Sequence, residues 1–255
     1  ETETPFYMVL PCGTYTSFSV VIVTTDGEVM YKQGTKPLNI IRSTSTPTSA
    51  LEYAAIETID LSAKGTANSY IVSSPGGYEI NVGIIGNGVI GLIDSVDFHT
   101  QDANISPASA DILWQEASTP ISNLRYDATT KKVSFLYTGT EGNAVIAARD
   151  ADSTIIWSWH IWCTDQPAEI IYGQEAGIMM DRNLGAVSAT PGDPGALGLF
   201  YQWGRKDPFR GSSSINDKIF TETTIEWPGR VESNSTNGTI EYSVSNPTTF
   251  ISVNY

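Results

Sequence analysis

The hydrophobic pattern is sharpest over residues 155–163. Read every second residue, Ile155, Trp157, Trp159, Ile161 and Cys163 are all apolar, whereas Ser158, His160, Trp162 and Thr164 are mixed. This spacing predicts a strand with one fully buried face and one partly covered face. Each tryptophan can bury about 200 Å², so the rest of the chain has to supply a core for three of them. Asn143-Ala144-Val145-Ile146-Ala147-Ala148 predicts a second strand, and the polar residues 149–153 between the two predict a turn. Together they form a hairpin expected to sit centrally in a sheet.

Further strands follow the same logic. Residues 5–10 form an apolar run stopped by Pro11, and residues 18–24 and 28–32 flank Asp26-Gly27, a pair that tolerates the positive φ of a tight hairpin turn. Residues 36–42 close this first block, which is too small to bury two faces without partners. Residues 54–66 are expected to be a linker or short strand. From residue 67 strands recur about every ten residues, at 68–73, 78–82, 84–85 with 89–90 around Asn87-Gly88, 110–115, 121–126 and 132–137, ending in the tryptophan hairpin. That rhythm predicts a β-sandwich over 67–165. After residue 165 come a short strand ending near Asp181, a Pro/Gly-rich loop at 190–195, a helical turn expected from Gly198, and a Ser/Thr/Asn-rich tail. The tail ends in an alternating strand at 248–255, with Phe250, Ser252 and Asn254 opposite Ile251, Val253 and Tyr255. The fold class expected is all-β, in three parts and a linker: 1–53, 54–66, 67–165 and 166–255.

Composition sharpens this picture. The chain of 255 residues has 22 Gly, 13 Pro and only 16% charged residues, which fits β structure with many turns. Its net charge of −14 speaks against nucleic acid and anionic membrane surfaces as partners. No apolar run is long enough to span a membrane. Cys12 and Cys163 both sit in apolar surroundings and are expected to be buried free thiols rather than a disulfide. The chain starts at Glu1 without an initiator Met, so a processed chain or an engineered segment is expected, with any export signal already gone.

Two segments resemble known families. Phe6-Tyr7-Met8-Val9-Leu10-Pro11-Cys12-Gly13-Thr14-Tyr15, with the Val21-Ile22-Val23 strand, Asp26-Gly27 and Ile41-Arg42-Ser43-Thr44-Ser45-Thr46-Pro47, resembles the last strands of a fimbrillin-type domain, as in pilus and surface-adhesin subunits of Bacteroidetes. That resemblance implies a lipid-anchored precursor, an outer-membrane destination and polymerisation by strand exchange, although Cys12 departs from the pattern. Met179-Met180-Asp181-Arg182-Asn183-Leu184-Gly185-Ala186, with Gly198-Leu199-Phe200-Tyr201-Gln202-Trp203-Gly204-Arg205-Lys206-Asp207-Pro208-Phe209, is similar to the Fibrobacter succinogenes major paralogous domain, a secreted module related to lectin-like folds. The Cys-Pro-Xaa-Gly-Trp-Arg segment usual in that family is not found here. Residues 67–72 and 142–163 also resemble a module recurring in large Bacteroidetes surface proteins.

Candidate chemistry is sparse. There are two histidines. His160, on the less apolar face of the tryptophan strand, reads as a packed structural residue in preference to a catalytic one. His99, near Asp94 and Asp97, has no established metal-ligand spacing. No nucleophile elbow, His-Glu-x-x-His or phosphate-binding loop occurs, and no cofactor is called for. Asp181 beside Arg182 reads as an ion pair pinning a loop, with ligand binding as the alternative. Asp193 and Asp207 read as turn residues, as do Asp150 and Asp152. Among the aromatics of the last third, Tyr172, Tyr201, Trp203, Phe209 and Trp227, the pair Tyr201 and Trp203 could stack on a sugar ring. Phe250, Ile251, Val253 and Tyr255 could serve in strand exchange, though an edge strand of their own domain is the preferred reading. The expectation is an exported, non-enzymatic surface or fimbrial adhesion protein. Its partners would be other surface or pilus subunits, or a host protein or glycan. A carbohydrate-binding module is the alternative.

Overall fold

A computed structural model describes residues 7–16, 18–25, 28–34, 36–46, 52–88, 103–116, 118–173, 177–210 and 229–252. The chain is strand-dominated, an all-β fold of several sheets. It divides into two units, Glu1–Glu57 and Thr58–Tyr255.

The first unit contains β1 (Gly13–Tyr15), β2 (Ser19–Val23), β3 (Val29–Gln33) and β4 (Leu38–Ile40). They form two antiparallel ribbons, β1 with β4 and β2 with β3. The β2–β3 register pairs Val23 with Val29, and the Thr24 amide donates to the Glu28 carbonyl. The strands therefore join through residues 25–27, one residue more than a two-residue turn at Asp26-Gly27 has; Asp26 and Gly27 themselves lie outside the described residues. The apolar run at 5–10 does not become a strand where it is described: residues 7–10 are exposed and unpaired among the described residues, Val9 completely so. Hydrophobicity alone does not make a strand when no neighbour offers a ladder. Cys12, expected to be buried, is likewise exposed; both thiols are free.

The second unit begins with β5 (Thr58–Asp60), inside the stretch expected to be a linker or short strand. β6 (Ser69–Val72), β7 (Gly76–Asn81), β8 (Ser109–Gln115), β9 (Ile121–Asp127), β10 (Lys132–Tyr137), β11 (Gly142–Arg149) and β12 (Ile155–Cys163) follow. One sheet has the order β5-β7-β10-β9, the other β6-β12-β11-β8, so the tryptophan hairpin occupies the two inner positions of its sheet. Ile84 bridges to Asn104, and residues 89–102, with the expected return at Val89-Ile90, lie outside the described set.

Alternating residues of both sheets make one core, with Tyr78, Ile80, Val133, Phe135 and Tyr137 from one side meeting Val72, Ile146, Trp159, Ile161 and Cys163 from the other. Bulk on β12 is matched by small residues on β11: Ala148 lies opposite Trp157, and Ala144 opposite Ile161. Alternating large and small partners lets facing side chains interdigitate. Burial drives the Cys163 thiol up to about 12, which keeps it protonated and inert.

The remaining chain contributes β13 (Glu169–Tyr172), β14 (Gly177–Met180), a 3-10 turn at Pro194–Ala196, β15 (Phe200–Tyr201), β16 (Pro208–Phe209), β17 (Gly229–Glu232), α1 (Ile240–Ser245) and β18 (Thr249–Ser252). The helical turn expected from Gly198 occurs earlier, where Asp193 accepts from the Gly195 amide and Pro194 supplies the fixed φ of a first helical position. Much of this stretch lies on the outer face of the second sheet. As a result Ser158, His160, Trp162 and Thr164, expected to be only partly covered, are all buried.

Candidate functional site

The outer face of β11 and β12 carries three polar clusters, each tying the C-terminal stretch to the sandwich. In the first, His160 Nε2 lies 2.9 Å from Asn143 Oδ1 and Nδ1 lies 2.9 Å from Ser69 Oγ. The Asn143 amide nitrogen already donates to Glu116 and to the Gly185 carbonyl, so its oxygen faces the ring. Nε2 therefore carries the proton, and Nδ1 accepts from the Ser69 hydroxyl. Burial pulls His160 down to about 3, so the ring is neutral over the physiological range. Alongside it, Trp162 Nε1 donates to the Ala186 carbonyl at 3.0 Å.

The second cluster joins Ser158, Lys206 and Asp207. Lys206 Nζ lies 2.6 Å from Ser158 Oγ and 2.6 Å from Asp207 Oδ1, and it sits 4.5 Å from the centre of the Trp157 ring. A serine beside a lysine can be a nucleophile and its base. Here the Ser158 hydroxyl donates to Asp207 at 2.5 Å, and the aspartate holds the ammonium proton that a base would have to lose. Burial lowers the Lys206 pKa, opposed by the Asp207 charge. Ser158 is 1% exposed, which leaves an acyl substrate no approach to the hydroxyl. The cluster is an anchor. It also corrects the reading of Asp207 as a turn residue: its carboxylate is buried and bonded to β12.

The third cluster is Arg182 with Asp165, Asp181 and Thr164. Nε and one terminal nitrogen bond Asp181 at 2.8 and 3.1 Å, the two terminal nitrogens bond Asp165, and Thr164 Oγ1 accepts at 3.2 Å. All five guanidinium N–H groups are thereby used. Hydrogen bonds from Arg182 hold the carboxyls of Asp165 and Asp181 below their ordinary range. The geometry leaves Arg182, 4% exposed along its side chain, no donor for a ligand.

The block from Gly204 to Arg210 stitches the layer together. Arg205 donates to the carbonyls of Ser243 (3.0 Å), Asn246 (2.9 Å) and Thr249 (2.5 Å), so it caps α1 and holds β18. Phe209 packs on Phe250 at 5.9 Å, and Arg210 lies over Trp114 at 5.2 Å. β18 pairs in parallel with β17, and the Ile251 amide bonds Gln202. Phe250 and Ile251 are thus engaged within their own unit, whereas Val253 and Tyr255 lie outside the described residues.

Two exposed features remain. Trp203 is 98% exposed on a turn whose neighbours Gln202 and Arg205 are fixed. Tyr201 keeps 37% exposure, yet burial and the Asp207 charge push its phenol up to about 12. Phe209 is buried and does not join these two as an exposed platform, and Trp227 lies outside the described residues. The second feature is the β13–β14 ribbon, where every residue of both strands is exposed. Ile170, Ile171, Tyr172, Ile178, Met179 and Met180 give it an apolar character on both faces.

Sequence reasoning missed Ser158 and Lys206; a Lys-Asp pair embedded in an aromatic block was the available signal. It found the Met179-Met180 strand but not its exposure. A short apolar run without alternation reads the same whether buried or bare.

Among the described residues no group of three or more His, Cys, Asp or Glu is placed to hold a metal ion, and no helix is long and apolar enough to cross a membrane. His99, Asp94 and Asp97 lie outside those residues. Comparison of the chain with protein-family models, with curated proteins and with solved structures finds no match.

Proposed function

We propose that this chain is an exported surface or fimbrial protein that works by contact rather than by catalysis, binding other surface subunits or a host protein. The observation that carries the reading is the β13–β14 ribbon. Six large apolar side chains on eight exposed strand residues are costly to leave in water. A cell-surface location, with a lipid-anchored precursor, follows the fimbrillin resemblance of residues 6–47. The buried polar clusters support the same reading, because each is spent on holding a rigid layer in place.

The test is a binding screen against immobilised extracellular-matrix and cell-surface proteins, run with the native chain and an Ile171→Glu/Ile178→Glu variant. Saturable binding that the variant loses is the expected result. Equal binding by both proteins removes the ribbon from the contact face. Turnover of a polysaccharide or peptide by the native chain overturns the non-catalytic reading.

A second reading rests on Trp203. An indole held 98% exposed on a fixed turn can stack on a sugar ring. Binding on a glycan array that Trp203→Ala abolishes would favour a carbohydrate-binding module, and a blank array removes it.

A further inference from the structure

The two faces of the ribbon follow from its register. Ile171 lies opposite Ile178 with Glu169 and Met180 on the same side, and Ile170 lies opposite Met179 with Tyr172 and Gly177 on the other. A surface hairpin ordinarily alternates apolar and polar sides; this one has no polar side. Among the described residues neither outer edge pairs with a third strand, and an isolated two-stranded ribbon is only marginally stable in water. A lipid bilayer would cover both faces, but it would leave the open backbone edges without hydrogen-bond partners. An added strand would both pair an open edge and cover the apolar faces.

We propose that this added strand is the β14 edge of a second copy of the chain, paired antiparallel about a two-fold axis to make a four-stranded sheet across two molecules. This rests on the contact-face reading above but goes further in naming the partner. Three features favour a second copy. β14 is Gly177-Ile178-Met179-Met180, without a charge, so two copies meet along this edge with no like charges opposed despite a net −14 on each chain. A two-fold axis normal to the sheet keeps opposed residues on one face, so Met179 meets its own copy and Ile178 meets Met180, and the edge is self-complementary. The six apolar side chains leave about 700 Å² uncovered per copy, and covering between half and all of it gives roughly 700 to 1,400 Å² in total, from the transient class up to a standard interface. The pair is consequently weak and reversible. Salt strengthens it, because screening removes the repulsion between two acidic bodies.

Sedimentation velocity of the full chain, from about 5 μM to about 1 mM at low and high salt, tests the proposal. A dimer that grows with concentration and with salt is expected, with β14 amides gaining hydrogen-exchange protection as it forms. The Ile178→Lys/Met179→Lys variant places charge on both faces of the exposed edge and should remain monomeric with unchanged circular dichroism. A native chain monomeric throughout overturns the proposal. So does a dimer that this variant leaves intact. A monomer that still loses matrix-protein binding on ribbon substitution overturns only the second-copy partner and leaves the contact-face reading standing.

Discussion

His160 makes folding stability depend on acid in a way that can be worked from its surroundings. The folded ring is neutral, with Nε2–H given to Asn143 and Nδ1 accepting from Ser69, and burial holds it at about 3 against 6.5 when exposed. A histidine whose folded pKa is depressed contributes its full stability above 6.5 and loses it as pH falls toward 3. Each pH unit in that window removes about 1.4 kcal/mol, so about 3 kcal/mol is gone by pH 4.5. His160→Gln keeps a donor and an acceptor at the end of the side chain but does not titrate. Urea denaturation of both proteins at about pH 7.5 and about pH 4.5 isolates the effect, since the carboxylates held low by Arg182 act equally in each. The native protein should lose about 3 kcal/mol more than the variant between these pH values. A difference that does not change with pH, or a His160 ring titrating near 6.5 by NMR, would refute the argument.

Lys206→Met leaves Asp207 buried without its counter-charge and should lower unfolding free energy by about 3 to 5 kcal/mol in urea; Asp207→Asn in the same background should recover part of that loss, and a change below about 1 kcal/mol would mean the pair is not holding the layer. Gly198 has φ +74, and a Cβ there would come within 2.5 Å of the Leu184 carbonyl oxygen. Gly198→Ala should therefore cost about 2 kcal/mol by thermal or chemical unfolding, and an unaffected variant would show that the turn can relax.

Much of the sandwich was legible because β-sandwich strands announce themselves by alternation. Residues 155–163, 142–149 and 132–137 each carry their inward face in every second position, and the central place of the tryptophan hairpin followed from its apolar content. The outer layer was not legible. Its strands are only two to four residues long, below the length at which a period can be recognised. Its hold on the sandwich depends on contacts such as Lys206 to Ser158, 48 residues apart, that no local pattern encodes. Cys12 and residues 7–10 misled for the opposite reason: their apolar character is real, but burial requires a neighbour. Trp203 and Tyr201 were singled out from composition, and only the structure separates their exposure from the burial of Phe209.

The parallel pairing of β6 with β12 has a kinetic consequence. Ser69 and His160 are 91 residues apart, and Asn68 and Trp157 are 89 apart. Closing so large a loop before any reward is collected makes for slow folding, in the millisecond-to-second range typical of such topologies. β12 is the last sandwich strand to leave the ribosome, yet it occupies an inner position between β6 and β11. Until it arrives, both neighbours present bare edges and an alanine-lined face, and the outer layer has no floor on which to assemble. The vulnerable interval in the life of this protein is thus its synthesis, when the open edges of β6 and β11 wait for the strand whose three tryptophans later cover them.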